Sequence, residues 1–281
     1  MEVEDKDIRR FQFTLRDHSD YDFTEYSLTC LRRRLTRILL EYEMDMEQMT
    51  RAMRSDTSFL DEIVKKLTVH TTELFRDPNV WKKLMHELLP GYRERTGMHI
   101  WHPGCSTGQE VYSMMMVLDE LEMLETCQIY ASDINPDVLE IAREGKYKYH
   151  FNQSYLENFQ KVLFNGPEPR EKNLRKQWKK YFTIDESRDV IQMKEFLRSK
   201  PVYKKMDLVK DPNLFLVKFD LIVCRNVIIY FNDDLQNRVF RLFYENMNPD
   251  GILILGVHES ILGPYSKRFL KKEPFYQKTP E

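Results

Sequence analysis

Met98-His99-Ile100-Trp101-His102-Pro103-Gly104-Cys105-Ser106-Thr107-Gly108-Gln109-Glu110 passes from a short apolar run, through two glycines, into a helix-forming segment. His99 to His102 predicts a strand that ends at Pro103-Gly104. Glu110 to Met123 predicts an apolar helix. Glycines let a backbone turn tightly and approach a ligand closely. The spacing is GxxxG, which differs from the GxGxxG of dinucleotide folds. Taken alone, it fits an ordinary strand-to-helix turn equally well.

The same alternation continues downstream. Gln128 to Ser132 predicts a strand closed by Asp133, and Asn135-Pro136 opens a helix through Leu139, Ile141 and Ala142. Phe219 to Cys224 predicts a buried strand, and Leu235 to Met247 an amphipathic helix. Asn248-Pro249-Asp250-Gly251 then turns into a strand from Ile252 to Val257. Strands alternating with helices predict an α/β fold, a mostly parallel sheet covered on both faces.

Upstream of about residue 95 only helical patterns occur. Tyr26 to Glu43 carries Leu28, Leu31, Leu35, Ile38 and Leu39 at helical spacing, with Arg32, Arg33, Arg34 and Arg37 threaded between them. Four arginines cannot all face a core, and Arg33 and Arg37 share one stripe. The alternatives are a docking face for an acidic partner, or a solvated face with internal partners such as Glu41. Ser55 or Asp56 is placed to cap a further helix. This texture predicts a helical domain over 1–70 and a second domain over 71–281. Residues 145–200 are hard to read: a basic stretch, with Phe159, Phe164, Trp178, Tyr181 and Phe182 interspersed. It fits a solvated insertion with a few anchoring aromatics better than a nucleic-acid patch.

Composition narrows the classes. The net charge is −2, with 31% charged and 42% hydrophobic residues. That is a globular balance, with no global attraction to nucleic acid. The amino terminus lacks an apolar leader, and no apolar run is long enough to span a bilayer. The four cysteines form no CxxC pair, so no metal and a reducing, cytoplasmic setting are expected.

Three further positions point to a site. Asp133, at the end of the strand after the glycine turn, is placed to accept both hydroxyls of a ribose. That combination suggests a nucleoside ligand, either a dinucleotide or S-adenosylmethionine. Arg225 and Asn226 follow the buried strand Phe219 to Cys224, where a guanidinium needs a partner. Asp220 or Glu259 would serve if the role were structural. Thr71-Thr72-Glu73-Leu74-Phe75-Arg76-Asp77-Pro78 reads alone as a segment capping a helix that starts at Pro78.

Together these segments resemble the CheR-type chemotaxis receptor glutamate O-methyltransferases. The likeness rests on TELFRDP at Thr72 to Pro78, WHPGCSTGQEVYS at Trp101 to Ser113 and ASDINPDVLEIA at Ala131 to Ala142. It rests also on FDLIVCRNVIIYFN at Phe219 to Asn232, NPDGILILG at Asn248 to Gly256, and HES at His258 to Ser260. The resemblance implies a Rossmann-like S-adenosylmethionine-dependent methyltransferase domain with a small all-helical N-terminal domain. It implies S-adenosylmethionine as cofactor and S-adenosylhomocysteine as product. It implies cofactor contacts from His70, Thr72, Arg76, Gly104, Glu110, Asp133, Asp207, Leu208, Arg225 and Asn226. Thr72 and Arg76 would meet the methionine end, Glu110 its amino group, Asp133 the ribose, and Asp207 and Leu208 the adenine. Tyr230 would stand near the transferred methyl, with Arg76 and Arg225 as candidates to hold the acceptor carboxylate. The implied partner is the cytoplasmic helical region of methyl-accepting chemotaxis receptors, the protein meeting the membrane only through that receptor. His70 and Asp207 stand where the family usually has Asn, and Gln109 replaces a common Glu. A non-catalytic sensor of S-adenosylmethionine, or an enzyme with another acceptor, are the rival readings.

Overall fold

The computed structural model describes residues 3–68, 72–164 and 177–279. The chain divides into two compact units. One comprises Met1–Val69 with Asn226–Arg241 and Ile261–Ser266, the other His70–Arg225 with Leu242–Ser260 and Lys267–Glu281.

The first unit is built on four helices, α1 (Asp5–His18), α2 (Leu28–Glu41), α3 (Met46–Ser55) and α4 (Thr57–Leu67). Each is amphipathic and turns one stripe inward. Ile8, Phe11 and Leu15 of α1 meet Leu31, Leu35 and Ile38 of α2 and Leu60 and Ile63 of α4 in one core. Asp56 caps α4, its carboxylate accepting from the amides of Ser58 and Phe59.

The second unit carries a seven-stranded sheet. Its strands are β1 (Met98–Pro103), β2 (Cys127–Asp133), β6 (Val202–Lys205), β7 (Phe219–Cys224), β8 (Met247–Leu255), β9 (Phe269–Lys272) and β10 (Phe275–Lys278), in the order β6-β2-β1-β7-β8-β10-β9. Pairing is parallel from β6 to β8, and β10 runs antiparallel to both of its neighbours. The α/β expectation therefore holds. β7 is buried along its whole length, as a strand covered on both faces must be. On β1, Ile100 joins the core under α6 (Gln109–Glu120). Its neighbour Trp101 points to the other face, stacked on Phe219 at 4.9 Å and edge-on to Phe243 at 5.6 Å. α6 is buried on every side from Val111 to Leu118, so it is a core helix rather than a surface one. Pro78 starts α5 (Pro78–Lys83), and Asn135 caps α7 (Pro136–Glu144) through the Asp137 amide.

The stretch over 145–200 builds a second, three-stranded antiparallel sheet, β3 (Lys146–Lys148), β5 (Val190–Met193) and β4 (Phe182–Asp185), with helix α8 (Tyr149–Leu163). Phe159, Tyr181 and Phe182 are buried in the main core and anchor it. Its cations Arg170, Lys172, Arg175 and Lys176 lie outside the described residues. Among the described residues no helix is long and apolar enough to cross a membrane.

Candidate functional site

The chain runs outward from β1 to β2 and β6, then returns to β7 on the other flank of β1. The loops after β1 and β7 thus diverge at the point where open α/β sheets take ligands, beyond the carboxyl ends of the strands. Gly104, Ser106 and Gly108 in the loop after β1 all adopt left-handed backbone, with φ of 68°, 51° and 88°. That conformation turns the Ser106 amide onto Asp133 Oδ2 at 2.9 Å, while the Asn135 amide donates to Oδ1 at 3.0 Å. Two backbone donors from different loops fix the Asp133 carboxylate, which is almost fully buried. The Ser106 hydroxyl is buried with no hydrogen-bond partner among the described residues.

Gly108 has a packing duty in addition to the turn. A Cβ there would lie 2.8 Å from Ala142 Cβ on α7, so the missing side chain lets two helices touch. Gln109, where a Glu is common, is buried and accepts from the Thr107 hydroxyl at 2.6 Å.

Arg225 has partners that sequence reasoning did not name. Its Nη2 donates to Asp77 Oδ2 at 2.6 Å and its Nη1 to Glu110 Oε2 at 2.9 Å, and its side chain is 1% exposed. The structural partners expected for it are occupied elsewhere. Asp220 accepts from Arg95, Asn248 and the His99 amide, and Glu259 accepts from the Gly256 amide. Asp77 is free to turn to Arg225 because its backbone is left-handed, φ 55°, and its carboxylate makes no capping bond to α5. The signal in the sequence was an acid before Pro78 that has no capping duty, and it is legible only once Arg225 is known to be near.

Glu110 responds to two opposed influences. Burial pushes its carboxyl up, but the charge of Arg225 and the imidazole of His102 outweigh it, and the net is below the ordinary carboxylate range. His102, quoted in the sequence motif without a role, is fully buried, its Nδ1 3.7 Å from Glu110 Oε1. The result is a chain of charges from Asp77 through Arg225 to Glu110, with the His102 ring beside it.

Thr72 and Arg76 flank this chain on the segment leading to α5. Phe75 holds left-handed φ of 52°, rare for a bulky residue. Its amide donates to Ser113 on α6 at 2.8 Å, and the Arg76 carbonyl accepts from Trp81 at 2.9 Å. Arg76 is half-buried, and among the described residues no carboxylate lies within ion-pair distance of it. Asp207 and Leu208 follow β6. The preceding Met206 amide donates to the Asp133 carbonyl at 3.0 Å, and Asp207 Oδ1 accepts from the Val209 amide at 2.8 Å. The structure thus brings Gly104, Glu110, Asp133, Asp207 and Arg225 to one sheet edge, with Asp77 added and Arg76 on the adjoining segment. Asn226, at left-handed φ of 61°, and Tyr230 group with the helical unit. There the Tyr230 carbonyl accepts from the Ser27 amide at 2.9 Å. His70 lies outside the described residues.

Comparison with known proteins identifies the family. The family described as "CheR methyltransferase, SAM binding domain" matches residues 70–165 and 150–274. The chain is 34% identical over 251 residues to a protein named putative methyltransferase Cher3 from Pseudomonas putida, covering 89% of this chain and 87% of that one. It is 32% identical over 214 residues to the chemotaxis protein methyltransferase of Borreliella burgdorferi (73% of this chain, 69% of that one). It is 26% identical over 263 residues to that of Listeria monocytogenes, with 92% of each chain covered. On the family match and the 34% relative, the chain belongs to the CheR methyltransferases, and its cofactor is S-adenosylmethionine.

Proposed function

We propose that the protein transfers the methyl group of S-adenosylmethionine to glutamate side-chain carboxylates of chemotaxis-type receptors, giving glutamate methyl esters and S-adenosylhomocysteine. One observation carries the acceptor chemistry. The carboxylates at the sheet edge are already engaged: Asp77 and Glu110 by Arg225, Asp133 by two backbone amides, Asp207 by the Val209 amide. His102 is fully buried beside Glu110 and cannot meet an incoming acceptor. None of them is left as a general base, which amine and hydroxyl acceptors need. A glutamate needs none, because it is ionised at neutral pH, with a pKa of about 4.3. The relatives' name, chemotaxis protein methyltransferase, points to the receptor as its carrier.

The residues fit the cofactor. Glu110, held ionised by Arg225, suits its ammonium, and Asp133, fixed by the Ser106 and Asn135 amides, suits its ribose hydroxyls. The orphaned Ser106 hydroxyl offers a further polar contact on the same loop. Arg76, with no carboxylate within ion-pair distance among the described residues, suits the cofactor's carboxylate, with Thr72 beside it, and Asp207 and Leu208 would border the adenine. Asp207 can accept from an exocyclic amine but cannot donate to a ring nitrogen. When bound, the cofactor supplies an activated methyl on a sulfonium. The protein's part is to orient, to exclude water and to keep Glu110 ionised, and orientation alone can supply roughly 7–11 kcal/mol. Arg225 acts here by holding Glu110 and Asp77 in place.

The test is label chemistry. Tritium from methyl-labelled cofactor should pass to receptor-containing membranes and be released as methanol in mild alkali. An alkali-stable label on Lys or Arg would sink the reading.

A further inference from the structure

Tyr147 ties the small sheet to the glycine turn after β1. In β3 the two lysines, Lys146 and Lys148, are exposed, and only Tyr147 turns inward. Its ring meets Tyr112 of α6 edge-on at 6.3 Å, and its hydroxyl donates to the Thr107 carbonyl at 2.7 Å. Burial pushes its phenol well above the ordinary value, so it stays protonated and remains a donor across the working pH range. The strand itself is fixed on two sides. Gly145 takes a left-handed φ of 57°, and a Cβ there would lie 2.6 Å from the Tyr112 hydroxyl, so the chain enters β3 pressed against α6. Within the sheet Tyr147 pairs with Ile191 of β5, and the Met193 amide donates to the Gly145 carbonyl at 2.8 Å. The neighbouring tyrosines hold a different element. Tyr112 and Tyr203 both donate to the Ala142 carbonyl of α7, at 2.7 Å and 3.3 Å. Of the three, Tyr147 is the one that reaches the loop.

We propose that Tyr147 is a positioning residue for the cofactor: its hydroxyl latches the glycine turn so that the Ser106 amide holds Asp133 in place for the ribose. The inference rests on the placement of the ribose at Asp133 given above, and not on the identity of the methyl acceptor. Thr107 lies between two left-handed residues, Ser106 at 51° and Gly108 at 88°. Glycine takes that backbone freely, but serine takes it against its own preference. That backbone aims the Ser106 amide at Asp133 Oδ2. A bond to the next carbonyl along, that of Thr107, resists rotation of the loop's peptides. Without it Ser106 can relax toward ordinary backbone, and the Asp133 carboxylate then loses one of the two amides that fix it, keeping that of Asn135. Filling space does not account for the hydroxyl. A phenylalanine would pack against Tyr112 as well, and a buried hydroxyl costs desolvation unless it is bonded. The insertion over 145–200 is on this reading a working part of the cofactor site, acting through one side chain of a three-residue strand.

The test uses the full chain and S-adenosylhomocysteine, with binding followed by calorimetry. Tyr147→Phe keeps the ring and removes the latch. It should raise the dissociation constant about threefold to tenfold, the worth of one hydrogen bond. In the unliganded protein the Ser106 amide should exchange with solvent faster by about the same factor when read by NMR. The Asn135 amide, bonded to the other oxygen of Asp133, should change little. Tyr112→Phe is the control. It loses an equally buried hydroxyl bond, made to α7 rather than to the loop, and its S-adenosylhomocysteine affinity should stay within about twofold of wild type. An unchanged dissociation constant for Tyr147→Phe, an equal loss in Tyr112→Phe, or unchanged exchange at Ser106 would each overturn the proposal. So would a Tyr147→Phe protein that cannot fold, since the hydroxyl would then serve the fold and not the loop. Asp133→Ala binding S-adenosylhomocysteine as tightly as wild type would remove the cofactor placement itself, and this inference with it. A weakened Asp133→Ala with an unaffected Tyr147→Phe removes only this inference.

Discussion

At the scale of single residues the site turns on Arg225, whose side chain is 1% exposed between two carboxylates. Removing one partner of a buried pair leaves uncompensated charge, which typically costs about 3–5 kcal/mol. Asp77 is partly solvated, so the lower figure is the better guide. Arg225→Met should therefore lower the melting temperature as well as cofactor affinity, whereas Arg76→Met should lower cofactor affinity with little change in melting temperature. A melting temperature for Arg225→Met equal to wild type would show that the triad is not structural. Glu110 adds a pH dependence. Its folded pKa lies below the unfolded value, so its contribution to stability is complete above the unfolded value of about 4.3 and is lost as pH falls through the folded one. Glu110→Gln should be less stable than wild type at pH 7, and the gap should close on acidification. Thermal melts from pH 7 to pH 3 measure it, and a constant gap would count against the assignment.

Among elements, those legible in the sequence are the ones whose signals are local. The β1, glycine turn and α6 series, the Asn135-Pro136 start of α7 and the Asp56 cap of α4 need no distant partner to be recognised. The rest depends on contacts far apart in the chain. Gly108 reads as a ligand-approach glycine until Ala142 is seen against it, and Asp77 reads as a helix cap until Arg225 is seen to claim it. The small sheet of β3, β4 and β5 was illegible because its strands are only three or four residues long, too short for an alternation to stand out. The β9–β10 hairpin gave no signal that was read, its outer strand being mostly exposed. Gly108 supplies the test at this scale. A Gly108→Ala substitution meets both a 2.8 Å contact with Ala142 and a left-handed φ of 88°, so α6 must shift from α7. It should cost on the order of 1–3 kcal/mol, the range for overpacking. Ala142→Gly should relieve part of it, and a double-mutant cycle of chemical-denaturation free energies showing no coupling would refute the packing role.

For the whole molecule, charge placement matters more than charge total. A net charge of −2 gives no overall attraction to an acidic receptor surface, so any steering must come from a local patch. The arginines of α2 divide by duty. Arg32 pairs with Asp5 and accepts no outside partner cheaply, and Arg34 is folded against Tyr230 and the Leu67 carbonyl. Arg33 and Arg37 remain exposed on one stripe, and among the described residues neither is held in an ion pair. Glu41, the internal partner that would have neutralised them, is bound to Lys66 at 2.5 Å instead. Two unpaired cations one helical turn apart form a site whose attraction is long-ranged and screened by salt, with a Debye length of about 8 Å at physiological ionic strength. Reversing both to Glu should therefore slow methylation of a receptor fragment most at low salt. Each reversed charge converts an attraction into a repulsion, and together they should lower kcat/KM by roughly tenfold to a hundredfold at low ionic strength and far less near 0.5 M salt. S-adenosylhomocysteine binding should be unchanged, because neither side chain belongs to the sheet-edge site. The decisive comparison is the salt dependence of kcat/KM in wild type and in the double reversal. Parallel curves would mean that α2 meets solvent rather than receptor, and the docking face would have to be sought elsewhere on the protein.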